Sequence, residues 1–372
     1  MRIAGSDGIP AEFGTGVRHT THKLVGEIRS TQLEYVRLGN TGLKVSEYCI
    51  GSDNFGGQTN AEDSMRIMSA AFDGGVNFID TANSYCDGLS EENVGKFIKT
   101  RRSEVVLATK GKSQVGPNPN DVGVNKKYVM QAIDDSLKRL GTDYVDLYQI
   151  HSPDLTTPIE ETVEAYNDVV RAGKARYIGA SNFSGPQLVE ALWAQDKNGF
   201  SKFNSVQPRY NLLYREPERE LFPACVDQGV GVMVYSPQAG GFLLGKHREF
   251  KAEMPKGGRY SNDFRAANFY KTTYWNEVTF EAMEQFIGVT EKYSVTPMAL
   301  ALGWVRSNPA VSACIVGART LEQLQQNLIA WEEDVPNEAI NEATAIGDQL
   351  WDTAPWKPQM HMAPPVAAST KA

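Results

Sequence analysis

Eight short apolar runs alternate with helix-patterned segments along this chain, and that alternation restricts the fold more than any other feature. The runs end at Gly51, Asp80, Lys110, His151, Ser181, Gln207, Ser236 and Val316. Apolar residues recur three and four apart over 63–73, 91–99, 127–140, 159–172, 186–194, 217–227 and 277–306, the last broken near Pro297. The same spacing returns over 321–331 and 339–350. A period near 3.6 buries one face of a helix, whereas a short Val- and Ile-rich run suits a buried strand. Strand–helix units repeated over about 320 residues predict a (β/α)₈ barrel, the TIM-barrel architecture. A doubly wound sheet competes with it, but such a sheet usually carries G-x-G-x-x-G after its first strand, and none occurs here. Ahead of the first run, 34–39 and 44–47 flank Asn40-Thr41-Gly42, which is a hairpin signal.

Domain limits follow from composition. Residues 1–32 hold five glycines and little apolar periodicity. We read 1–33 as a disordered leader or an arm introduced in cloning, 34–351 as one barrel domain, and 352–372 as an irregular tail rich in Pro, Ala and Met. The 37 basic and 45 acidic residues leave a net charge of -8 with no basic stripe, which argues against a nucleic-acid partner. No apolar run approaches the roughly 20 residues of a membrane span. The four cysteines are scattered without a C-x-x-C, as expected of a reducing compartment, so a cytoplasmic protein is expected. The five histidines are dispersed and predict no metal site.

Asp80, Tyr85, Lys110 and His151 stand at or just past the ends of three successive runs. In a parallel barrel those ends face one way, so the four side chains can converge on one pocket. A tyrosine beside a lysine, an acid and a histidine is a proton donor suited to a carbonyl oxygen. Free tyrosine titrates near 10, so a nearby Lys110 ammonium is expected to lower the Tyr85 pKa by roughly 3 units. Asp80 would keep Lys110 charged, and His151 would fix the approach of the substrate oxygen. Taken singly, Asp80 and Lys110 read as a structural ion pair and His151 as a satisfied strand-end residue. A Schiff-base role for Lys110 is the other chemistry open to it. Two connections, 111–125 and 240–275, are too long for plain loops and are expected to be lids over this face.

The chain resembles the aldo-keto reductase superfamily, in its bacterial and fungal branch related to potassium-channel β subunits. The resemblance runs from Glu34 to Trp351. It rests on Leu38-Gly39-Asn40-Thr41-Gly42-Leu43-Lys44-Val45-Ser46, Asp80-Thr81-Ala82-Asn83-Ser84-Tyr85, Thr109-Lys110, Tyr148-Gln149-Ile150-His151, Ile178-Gly179-Ala180-Ser181-Asn182, Val206-Gln207-Pro208 and Ile315-Val316-Gly317-Ala318-Arg319. It implies a barrel whose bottom is closed by the hairpin, a catalytic tetrad of Asp80, Tyr85, Lys110 and His151, and NAD(P)H as hydride donor. NADPH-dependent reduction of an aldehyde or ketone is therefore expected, with Tyr85 as general acid. The alternative is a nucleotide-sensing regulatory subunit of the channel β type.

The resemblance places the nicotinamide against Gly51, Ser52, Asp80, Ser181, Asn182, Gln207 and a stacking Tyr235, with Ser236 and Pro237 following. Backbone amides around Gly241 and Leu243, with Lys246, can approach a pyrophosphate. Gly240 to Lys246 nearly spells a P-loop, but His247 replaces the hydroxyl residue that would hold magnesium. Gly317 and Arg319 lead into a helix, a phosphate site by dipole and charge. Gln323, Gln326 and Asn327 are expected at the adenine, although the family often has Glu where Gln326 stands. Arg319 favours NADPH (NADP⁺) over NADH. Substrate contacts are expected from Asn54, Phe55, Tyr85, His151 and Tyr274. The long loop supplies Phe264, Phe269, Tyr270, Tyr274 and Trp275, which either wall a pocket for a bulky or apolar carbonyl compound or fill a small core of their own.

Overall fold

The computed structural model describes residues 33–248, 258–261 and 267–353. The leader expected over 1–33 therefore lies outside the described residues except for Leu33, which is buried in the core. The tail beyond residue 353 and Phe264 also lie outside them.

The chain opens on the hairpin β1 (Tyr35–Arg37) and β2 (Lys44–Ser46), paired antiparallel. Gly39 has φ +57°, and a Cβ there would meet the Gly231 backbone nitrogen at 2.4 Å, so only glycine fits the turn. Then come β3 (Tyr48–Gly51), α1 (Ala61–Asp73), β4 (Phe78–Asp80), α2 (Leu89–Ile98), β5 (Val106–Gly111) and α3 (Lys126–Leu140). They are followed by β6 (Val145–Ile150), α4 (Ile159–Arg171), β7 (Ala175–Ser181), α5 (Gly185–Asn198), β8 (Phe203–Gln207), α6 (Leu221–Gln228) and β9 (Gly231–Tyr235). Three helices, α7 (Ala267–Tyr274), α8 (Glu277–Tyr293) and α9 (Pro297–Arg306), precede β10 (Val311–Gly317), and α10 (Leu321–Glu332) and α11 (Asn337–Thr353) follow it.

Strands β3 to β10 are parallel and close on themselves through the β10–β3 and β9–β10 pairs. The eight-stranded barrel expected from the sequence is the fold. Its strands are covered on both sides, so β5 is buried at every position and shows no period-two alternation. Leu38 and Val45 of the hairpin pack with Phe78, Leu147 and Met233 inside the barrel, away from the strands' carboxyl ends. The hairpin thus stoppers the bottom and leaves the top for function.

Local chemistry sets the helix limits. Asn125 caps α3 by accepting from the Tyr128 amide, and Gly141 at φ +62° ends it. Ser184 and Gln187 form a capping box at α5, with Pro186 in its first turn. Pro297 starts α9 and so divides the long 277–306 pattern into two helices. The helix expected over 217–227 begins later, at Leu221. Before it, Glu218 is gripped by Tyr210 and Arg215, which fixes a separate 3₁₀ turn at Glu216–Glu218.

Candidate active site

β4 and β5 lie side by side, and their ends bring Asp80 and Lys110 together. Lys110 Nζ donates to Asp80 Oδ1 at 2.5 Å and to the Thr81 carbonyl at 2.7 Å. Lys110 is 0% exposed and Asp80 2%. The other Asp80 oxygen accepts from Gln207 Nε2 at 2.9 Å and from Gln149 Nε2 at 3.2 Å. Gln149 is the register neighbour of Lys110 on β6 and was not singled out from the sequence. The signal was there, since Leu147, Gln149 and His151 share the inward face of one strand.

Tyr85 opens a 3₁₀ turn beyond β4. Cys86 and Asp87 follow it at φ +49° and +56°, and Gly88 at +91°. Two successive non-glycine residues in the left-handed region make a strained corner, of the kind kept at functional sites. Lys110 Nζ lies 4.8 Å from the Tyr85 ring centroid, and the His151 ring meets Tyr85 edge-on at 5.6 Å. The expected lowering of the Tyr85 pKa does not occur. Burial pushes the phenol up to about 12, and the Lys110 ammonium offsets only part of that. Desolvation of a phenolate outweighs one neighbouring cation that Asp80 already neutralises. Tyr85 is therefore held as a neutral phenol, the form that can donate.

These groups open on a cleft of about 940 Å³. At one end stand Asp80, Tyr85, His151, Ser181, Asn182, Gln207 and Tyr235, with Gly51 and Ser52 on the adjacent wall. Asn182, at φ +61°, donates through Nδ2 to the His151 carbonyl and to Ser181 Oγ, and its Oδ1 accepts from the Tyr235 hydroxyl at 2.8 Å. The amino groups of Asn182 and Gln207 are thus used within the protein, and among the described residues the Gln207 side-chain carbonyl oxygen is left to accept a further hydrogen bond.

Farther along, Ser236, Pro237 and Gly241 line the cleft, followed by Lys246, Gly317, Arg319, Gln323, Gln326 and Asn327. Gly241 sits at φ +91°, and a Cβ there would have only Leu244 Cδ1 nearby, at 3.9 Å, so its backbone faces open space. Gln323 accepts from the Arg319 amide at 2.9 Å, and Thr320 caps α10. Lys246 and Arg319 make no ion pair among the described residues, which suits a segment expected to take phosphate. The residues present therefore fit a phosphate-bearing dinucleotide.

Three expected contacts do not reach the cleft. Leu243 and Phe55 are 0% exposed in the core; Leu244 lines the cleft in place of Leu243, and of the expected pair Asn54 and Phe55 only Asn54 reaches it. Tyr274 is equally buried, with its hydroxyl taking the Asn211 amide. It clusters with Phe242, Tyr260, Trp275 and Phe280 beneath the lid. The long loop thus divides its aromatics: Phe269 and Tyr270 line the cleft, and Tyr274 and Trp275 do not. Arg259 and Asp53 complete the enclosure. Arg259 reaches from the lid to Asp53 beyond β3, with both guanidinium nitrogens on the carboxylate at 2.8 and 3.0 Å. The other long connection, 111–125, contributes Lys112, Gln114 and Val122 to a side pocket of about 420 Å³ that also touches His151.

No helix among the described residues is long and apolar enough to cross a membrane, and all four cysteines are free.

The Aldo/keto reductase family model matches residues 47–348. An uncharacterised oxidoreductase of Bacillus subtilis, YrpG, is 38% identical over 83% of this chain and 94% of its own length. A probable voltage-gated potassium channel β subunit of Arabidopsis thaliana is 37% identical over 80% of this chain and 91% of its own. Versiconal hemiacetal acetate reductase of Aspergillus parasiticus is 32% identical, covering 83% and 95%.

Proposed function

Because this chain belongs to the aldo/keto reductase family, we propose that it reduces an aldehyde or ketone to the alcohol with NADPH, Tyr85 acting as general acid. The observation that carries the reading is Tyr85 held neutral at the barrel mouth, between the buried Lys110–Asp80 pair and His151. A nicotinamide cofactor, when bound, would supply the hydride. Tyr85 then gives its proton to the carbonyl oxygen as negative charge develops there. Lys110 stabilises the phenolate left behind, and its charge is kept in place by Asp80. Asp80 is in turn fixed by Gln149 and Gln207. His151 orients the carbonyl oxygen toward the phenol. Tyr235, steadied by Asn182, offers a ring face to the nicotinamide. Lys246 and Arg319 are the cations for the cofactor's phosphates, and Arg319, beside Gln323, is the one assigned to the 2′-phosphate. The substrate is a small-molecule carbonyl compound, bulky or apolar enough to be received against Phe269 and Tyr270.

The test is NADPH oxidation by the purified full chain over a panel of aldehydes and ketones. Tyr85→Phe keeps the ring and should lower turnover by ~10²–10⁴-fold, the usual worth of general acid catalysis, while NADPH binding persists. A Tyr85→Phe enzyme within a few-fold of the parent rate would refute the assignment. The similarity to a channel β subunit favours a second reading, a nucleotide-sensing regulatory subunit. NADPH binding without turnover on any carbonyl would select it.

A further inference from the structure

Arg209 lies two residues beyond β8 and is 3% exposed. Its guanidinium carbon stands 3.6 Å from the ring centroid of Tyr214 and 4.6 Å from that of Phe269. Nη1 donates to Thr273 Oγ1 at 3.3 Å, the guanidinium also interacts with the Tyr214 side chain, and Nη2 has no hydrogen-bond partner among the described residues. No carboxylate pairs with it among the described residues, and Glu216 feels its field without contacting it. A buried cation without a counter-charge is among the costliest groups a fold can keep. Aromatic faces return only part of that cost.

The position of Arg209 suggests what completes it. It bridges Tyr235 through the backbone and packs on Phe269. Both of those residues line the side pocket, so the guanidinium sits one side chain behind its wall. The side pocket shares His151, Asn182, Tyr235 and Phe269 with the main cleft. A carbonyl compound held at His151 thus has the side pocket open beside it for the rest of its body. Among the described residues lining this pocket, Lys112 is the charged one. Its φ of +137° is a backbone conformation that side-chain-bearing residues rarely adopt, and it forms no ion pair among the described residues. The nearby acid, Asp154, is already occupied by Thr156, Thr157 and the Val124 amide.

We infer that the substrate carries a carboxylate as well as its carbonyl, and that this carboxylate enters the side pocket past Lys112 and becomes the partner of Arg209 Nη2. Phe269, on the lid helix α7, is the side chain that gives way. This rests on the carbonyl-reduction reading and narrows it to oxo acids.

The probes are 4-carboxybenzaldehyde and its neutral methyl ester, assayed with NADPH on the full chain. The acid should be preferred by about ten- to a hundred-fold in kcat/KM, expressed in KM, as expected of a charge-assisted hydrogen bond. In Arg209→Met that acid-to-ester ratio should collapse toward unity, and in Lys112→Met it should fall and lose its salt dependence. Benzoate should compete with the acid substrate and benzamide should not. An ester reduced as well as the acid, or an Arg209→Met enzyme that keeps the ratio, overturns the inference. If Arg209→Met does not fold, the parent enzyme's acid-to-ester ratio and the benzoate competition decide alone. Equal reduction of both probes leaves carbonyl reduction standing and removes only the oxo-acid claim. Reduction of neither, nor of any other aldehyde, removes both.

Discussion

Replacing Lys110 by methionine should separate what the Lys110–Asp80 pair does for the fold from what it does for the chemistry. The stem keeps its bulk, and the ammonium is lost. Asp80, 2% exposed, is then a buried carboxylate without its counter-charge. Removing one partner of a buried pair typically costs ~3–5 kcal/mol. Gln149 and Gln207 still donate to the second Asp80 oxygen, so the lower end, about 3 kcal/mol, is expected. Against a typical total of roughly 5–15 kcal/mol, most molecules should remain folded. Urea unfolding followed by tryptophan fluorescence should show a lower midpoint at unchanged slope. The pH dependence has a definite sign. Burial disfavours the ammonium, but Asp80 and then Tyr85 outweigh it and raise the Lys110 pKa above its usual value. That contribution is complete below the unfolded lysine pKa and is lost as pH rises through the folded one. The contribution of the Lys110 charge to the stability gap between parent and Lys110→Met should therefore persist through neutral pH and be lost as pH rises on the alkaline side. Adding Asp80→Asn removes the stranded charge and should return most of the stability without returning turnover, because Tyr85 still lacks its neighbouring cation. A loss below about 1 kcal/mol in the single variant would contradict the buried geometry. Recovery of turnover in the double variant would show that the Lys110 charge serves folding alone.

Two further outcomes follow from the cofactor end of the cleft. Arg319→Ala should weaken NADPH by roughly ten- to a hundred-fold and NADH much less, since only NADPH carries the 2′-phosphate. Equal losses in fluorescence titrations of the two nucleotides would remove that role from Arg319. Arg259→Ala opens the clasp to Asp53 and should speed cofactor release several-fold in stopped-flow experiments, as expected where an enclosure limits exit. An unchanged release rate would make the clasp purely structural.

Much of this protein follows from local sequence. The strand–helix alternation, the Asn40-Thr41-Gly42 turn, the capping residues at Asn125 and Ser184 and the break at Pro297 each act within a few residues, so they can be read in order along the chain. The convergence of Asp80, Tyr85, Lys110 and His151 was legible for a related reason. A closed parallel barrel sends every strand's carboxyl end to one face, so identifying the strand ends identifies the mouth. Other features depend on segments that meet only in space. Asp53 and Arg259 join across 206 positions, and neither has a local signature. Phe55, Leu243 and Tyr274 face away from the cleft, while Leu244, Phe269 and Tyr270 face it. Apolar character alone does not say whether a side chain lines a cavity or supports its wall. The Tyr85 pKa shows the same limit. Sequence names Lys110 as its neighbour, but the sign of the shift depends on how much water the surrounding strands and the strained Cys86–Asp87 corner exclude. Desolvation sums over all those segments at once, and here it outweighs the one charge that sequence could name.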